Sequence, residues 1–99
     1  MKPTEVKHGK FKLIDVLYDD KEYTIAWGTW EGTQKVLAER WNGVDDSDPG
    51  WPRQGKYPIW MKVTDDLTTS RLKSLLGLRH AKDAAILKVL TELCSEGRL

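Results

Sequence analysis

Five tryptophans, Trp27, Trp30, Trp41, Trp51 and Trp60, fall within residues 27 to 60, and none lies in the C-terminal third. Rings of this size either supply the core of a small domain or, where exposed with cations beside them, stack on flat ligands. Trp27 shares one side of a strand pattern with Ile25 and Tyr23 and reads as core. Trp41 and Trp51 stand among groups suited to recognition: Arg40-Trp41-Asn42 at a strand end and Trp51-Pro52-Arg53-Gln54-Gly55 in a loop. Arg40, Trp41, Asn42, Trp51, Arg53 and Gln54 are therefore the candidate ligand-binding residues. Aromatic and guanidinium planes would supply stacking, and the amides would supply hydrogen bonds. The target class stays open between a small planar ligand and a partner protein. Nucleic acid is an alternative, with single-stranded bases stacked on Trp30, Trp41 and Trp60 along an open sheet face while Arg40, Arg53, Lys56 and Lys62 follow the phosphates.

Catalytic chemistry finds fewer residues. A nucleophile needs a base and an orienting group, yet the only histidines are His8 and His80, at a leader and at a helix start. Cys94 falls on an apolar helical arc and is expected to be buried and inert. Asp45-Asp46-Ser47-Asp48-Pro49-Gly50 resembles the start of a calcium loop but lacks the downstream bidentate Glu, so a solvated turn is expected. Asp15, Glu39, Asp65 and Asp66 have no spacing that makes an acid pair, and no glycine-rich phosphate loop is present. No catalytic residue, metal ligand or cofactor is assigned. An enzyme whose site assembles only in space is the remaining alternative.

The elements that must position these residues follow from periodicity. Residues 1–9 have no period and read as a flexible leader. Three strands are expected over Phe11–Tyr18, Tyr23–Trp30 and Gln34–Trp41, the last with Val36 and Ala38 alternating against Leu37, Glu39 and Trp41. A long loop over residues 43–56 gathers Asp, Pro and Gly, and a fourth strand over Tyr57–Val63 carries Pro58 near its start. Thr64-Asp65-Asp66 is a helix start, Gly77 a left-handed stop, and a second helix is expected over Arg79–Ser95. The expected fold is α+β: one domain over residues 1–99, with a tryptophan-rich four-stranded antiparallel meander over 10–63 and a helical pair over 64–96 packed on one face.

Leu72, Leu75-Leu76-Gly77-Leu78, Leu87, Leu90 and Glu96-Gly97 resemble the second and recognition helices of helix-turn-helix repressors, over residues 72–99. The resemblance implies DNA binding with Arg79, His80 and Lys82 facing the groove. Two features depart from it: Asp83 stands where such helices bury an aliphatic residue, and a strand replaces the preceding helix.

Net charge is +1, so bulk attraction to nucleic acid or anionic lipid is not indicated. Residues 1–50 carry seven Lys/Arg against ten Asp/Glu, and residues 51–99 carry nine against five. A single cysteine excludes an internal disulfide, and no apolar run suits a signal peptide or membrane span. A cytoplasmic protein is expected. The breadth of the second helix's apolar stripe leaves room for a homodimer.

Overall fold

The computed structural model describes all 99 residues, Met1 to Leu99. Three long strands dominate: β1 (Phe11–Asp19), β2 (Tyr23–Trp30) and β3 (Gln34–Trp41). Two short strands, β4 (Arg53–Gln54) and β5 (Tyr57–Pro58), form a separate hairpin. β6 (Met61–Lys62) then joins the main sheet, and α1 (Asp65–Leu75) and α2 (Asp83–Ser95) complete the chain. The main sheet has the order β1-β2-β3-β6, antiparallel throughout. The architecture is α+β with a four-stranded antiparallel sheet and two C-terminal helices. It is not a simple meander, because the β4–β5 hairpin interrupts the path from β3 to β6.

Period-two alternation sorts β2 and β3 onto two buried faces. Ile25, Trp27 and Leu37 face the helices and join Leu17, Val63, Leu72, Leu75, Ile86, Val89 and Leu93 in the larger core. Burying side chains of this size stabilises the fold by about 1.5–3 kcal/mol each before the entropy cost of ordering them. Ala26, Val36 and Ala38 face the other way and are covered by Phe11, Trp60 and Val6. The small residues there are required by the cover: a Cβ on Gly28 would overlap the Lys12 carbonyl oxygen and approach the Phe11 ring to 2.6 Å. β1 carries irregularities between Leu13 and Asp15 and between Val16 and Tyr18. Such bulges re-aim a strand, and Leu17 here enters the helix-side core.

Several expectations need correction. Residues 1–9 are not a frayed leader. Pro3–Glu5 form a 3₁₀ turn, Pro3 and Val6 are buried, and the Met1 amino group donates to the carbonyls of Asn42 at 2.6 Å and Asp45 at 3.0 Å. This segment and Trp60, rather than the helices, close the second sheet face. The fourth strand is broken, because Tyr57–Pro58 pair back on β4 while only Met61–Lys62 reach β3. The 43–56 loop is likewise partly ordered by the hairpin and by a bridge between Trp41 and Trp51.

In the helical pair, Thr64 holds the position before α1 without a side-chain cap, Asp65 and Asp66 fill the first turn, and Gly77 takes φ +84° beyond its end. α2 starts at Asp83 instead of Arg79, because residues 80–82 are claimed by β1: Asp19 N–H donates to the His80 carbonyl and Lys82 N–H to the Leu17 carbonyl. Cys94 is exposed, since the buried arc of α2 narrows to Ile86, Val89 and Leu93. No helix is long and apolar enough to cross a membrane.

Candidate ligand-binding surface

Trp41 ends β3, and the chain returns to it ten residues later, at Trp51. Trp41 N–H donates to the Trp51 carbonyl at 2.7 Å, and Trp51 N–H donates to the Trp41 carbonyl at 3.0 Å. Residues directly opposite in an antiparallel pair project to the same face. The two indoles therefore stand side by side, and both are solvated, Trp41 at 53% exposure and Trp51 at 59%. Gly50 permits the approach. It takes φ +70°, and a Cβ there would overlap the Trp41 carbonyl oxygen and lie 2.7 Å from Arg40 Nη2. Tyr23 lies opposite Trp41 in register, with its ring edge-on at 4.5 Å. Tyr23, Trp41 and Trp51 thus form a ridge across β2, β3 and the returning loop.

The other candidates divide into frame and rim. Arg40 is fully buried, because it belongs to the Val36–Ala38 side of β3. Its Nη1 donates to the Ile59 carbonyl at 2.6 Å, and its Nη2 donates to the carbonyls of Trp41 at 3.0 Å and of Pro49. Burial lowers its pKa from the usual arginine range. Asn42 is also buried, bonded through Nδ2 to Thr24 Oγ1 at 2.8 Å and to the Lys21 carbonyl at 3.1 Å. Neither group offers a hydrogen bond to a ligand. Their work is to hold the strand end and the loop in place. Arg53 and Gln54 are exposed on β4, and Arg53 takes part in no ion pair. Of the six residues, Trp41 and Trp51 come together at the surface, Arg53 and Gln54 follow on the adjoining hairpin, and Arg40 and Asn42 lie underneath.

Three neighbours escaped the sequence reading. Glu39 is buried, with Oε1 accepting from Arg71 Nη2 at 2.9 Å. Tyr23 is beside it, and its hydroxyl pKa is raised, first by burial and then by the Glu39 carboxylate. Val44 is 91% exposed and lines an open depression of about 460 Å³ with Lys21, Glu22, Trp41 and Gly43. Glu39 is two positions from Leu37 on one face of β3, so its burial was legible; the partner Arg71 was not, because it lies 32 residues away.

Comparison with protein-family models, curated proteins and solved structures finds no match. The geometry alone therefore carries the functional reading. The single-strand stacking face does not assemble: Trp60 is buried, and Trp30 packs on the core side opposite Tyr23 and its neighbour Trp41. Arg79, His80 and Lys82 precede α2 in place of lying along it. The acidic loop is a set of turns, with Asp45 accepting from Ser47 and Asp48, and Asp48 accepting from Val44 and Gly50. These bonds lower both carboxyl pKa values, with the Ser47 side chain the largest cause at Asp45 and the Gly50 amide at Asp48. No group of three His, Cys, Asp or Glu side chains is placed to hold a metal ion. His8 stacks on Tyr57 at 4.7 Å, and His80 meets Tyr18 edge-on at 6.4 Å.

Proposed function

We propose that this protein is a non-catalytic binding module that recognises a partner protein through the Trp41–Trp51 ridge. One observation carries the proposal: two half-exposed indoles held on a common face by reciprocal backbone bonds. Fixing the backbone before the partner arrives lowers the ordering cost of association, and tryptophan is the residue type most enriched among interface anchors. A small planar ligand suits the surface less well. Such ligands favour enclosed sites with convergent polar groups, and the two best candidates, Arg40 and Asn42, are committed to carbonyls and to Thr24. A cytoplasmic setting fits the single cysteine. A homodimer would draw on other residues, the exposed Ala84, Leu87 and Thr91 of α2.

A photoreactive residue in place of Val44, beside Trp41, tests the proposal in cells. Adducts with a second protein that disappear in the Trp41→Ala/Trp51→Ala double variant are expected. Adducts that persist in the double variant would contradict it.

A further inference from the structure

We infer that the partner recognised through this ridge presents an acidic segment on the Trp51 side, its carboxylates met by Arg53, Lys56 and Lys7. The inference rests on the binding proposal above and adds the chemistry of the partner.

Charge is distributed unevenly about the two indoles. On the Trp41 side it cancels. Lys21 faces Glu22 in the depression of about 460 Å³, and the Met1 amino group, Lys2 and Lys21 face Asp19, Asp45 and Asp46 in an adjoining one of about 300 Å³. On the Trp51 side it does not cancel. Residues 49–63 carry Arg53, Lys56 and Lys62 and no Asp or Glu. Residues 6–10 meet the β4–β5 hairpin where His8 stacks on Tyr57 at 4.7 Å, and they add Lys7 and Lys10, again without an acid. Lys10 is paired with Glu31 at 2.9 Å, whereas Lys7, Arg53 and Lys56 are exposed and take part in no ion pair. Below the ridge, the buried Arg40 guanidinium donates only to carbonyls, so a further positive charge goes without a carboxylate partner. Uncompensated charge of one sign beside exposed anchors suits a partner surface of the other sign.

The form of the patch favours acidic protein over nucleic acid. A single strand binds by stacking successive bases on open rings while cations follow its phosphates. Here His8 is stacked on Tyr57, and Lys56 Nζ stands 5.7 Å from the centroid of the same ring. A run of bases would have to displace His8 or Lys56 to extend from Trp51 along the hairpin. Carboxylates need no ring face. The planar Arg53 fork takes one through two parallel bonds, and Lys56 and Lys7 attract others as point charges. Pairing of the partner as an added strand is closed off at Trp51, which spends its N–H and carbonyl on Trp41, and Pro52 has no N–H to offer. Side-chain charge therefore sets the preference at this end of the ridge.

Three blocked decapeptides, each with two leucines for the ridge and carrying four Glu, four Gln or four Lys, test this by chemical-shift titration, with a short oligothymidylate as a fourth probe. The Glu peptide is expected to bind tightest and the Lys peptide weakest, with shifts at the Arg53–Tyr57 amides and the Trp51 indole. Arg53→Gln with Lys56→Gln should weaken the Glu peptide by about tenfold or more at low ionic strength, where surface charge is least screened, and leave thermal unfolding unchanged. Trp41→Ala with Trp51→Ala should weaken all three peptides. Equal binding of the three peptides, lost on removing the indoles, would overturn the acidic partner and leave the ridge as a binding surface. Glu-peptide binding lost with the two cations but indifferent to the indoles would overturn the ridge and leave the hairpin as the acidic-segment site. Oligothymidylate binding without Glu-peptide binding would overturn the partner class. Absence of Glu-peptide binding, or binding indifferent to the two cations, would overturn the inference.

Discussion

Nη2 of Arg40 donates to the carbonyl of Pro49, two residues ahead of Trp51, so a buried guanidinium on β3 tethers the loop that carries the second exposed indole. Its other bonds, to the carbonyls of Trp41 and Ile59, tie the strand end and the approach to β6 to the same group. Arg40→Ala should cost about 2–4 kcal/mol, because charge-assisted bonds are lost and buried carbonyls are left without donors. Arg40→Lys should recover little, since a single ammonium cannot reproduce the planar fork. Chemical denaturation measures the cost, and hydrogen exchange at the Trp51 amide should accelerate in both variants. Stability of Arg40→Ala within about 0.5 kcal/mol of wild type would show that the guanidinium does not hold the loop.

The five tryptophans should separate by role. Trp27→Ala and Trp60→Ala remove buried rings and should destabilise by about 3–5 kcal/mol. Trp41→Ala and Trp51→Ala should cost about 1 kcal/mol or less, since most of each ring is already in water. Urea unfolding of the four variants checks the division, and a loss at Trp51 equal to that at Trp60 would contradict it.

Two glycines should lose stability on substitution by alanine for different physical reasons. Gly28→Ala drives a methyl group into the Lys12 carbonyl and the Phe11 ring, for a cost of about 1–3 kcal/mol or more. Gly32→Ala has open space around it and meets only the strain of φ +84°, about 1 kcal/mol. Thermal unfolding of the pair distinguishes packing from backbone strain.

Stability should fall at both ends of the pH range. The Asp20, Asp45 and Asp48 carboxyls have lowered pKa values. The leading causes are the Tyr23 amide for Asp20, the Ser47 side chain for Asp45 and the Gly50 amide for Asp48. The folded state therefore takes up protons less readily than the unfolded one. The contribution is present above the unfolded value of about 4 and is lost as pH falls through the lower folded values. Tyr23 is shifted the other way, raised by burial first. Its contribution is present below the unfolded value of about 10 and is lost as pH rises above it. Tyr23→Phe should flatten the alkaline limb of a stability–pH curve and leave the acid limb unchanged.

Much of the fold was legible because β2 and β3 obey period two and the helices have a clear stop at Gly77, while the two irregularities of β1 move Leu17 to the face opposite Phe11. The broken fourth strand was not. Tyr57, Ile59, Met61 and Val63 alternate without interruption, and nothing local shows that Tyr57 pairs across Gly55–Lys56 with Gln54. The docking of residues 1–6 left no trace either, since a segment that covers a face irregularly has no period. At the surface, Trp41 and Trp51 stood out by type, while Arg40 was misplaced by its charge. Its spacing from Val36 and Ala38 already put it on the buried side of β3, and period outranked polarity there because backbone carbonyls meet the guanidinium. The α2 start was overridden by the tertiary bridge between Tyr18 and Ala81.

The most direct measurement is a two-dimensional nitrogen–proton spectrum of the five indole Nε1–H groups during titration with the partner protein captured through the photoreactive residue at position 44. The signals of Trp41 and Trp51 should shift together and saturate at one partner per chain. Those of Trp27, bonded to Glu92 Oε2, and of Trp60, bonded to the Val6 carbonyl, should stay in place. Saturable binding that moves Trp27 or Trp60 and leaves Trp41 and Trp51 unshifted would contradict the ridge as the binding surface.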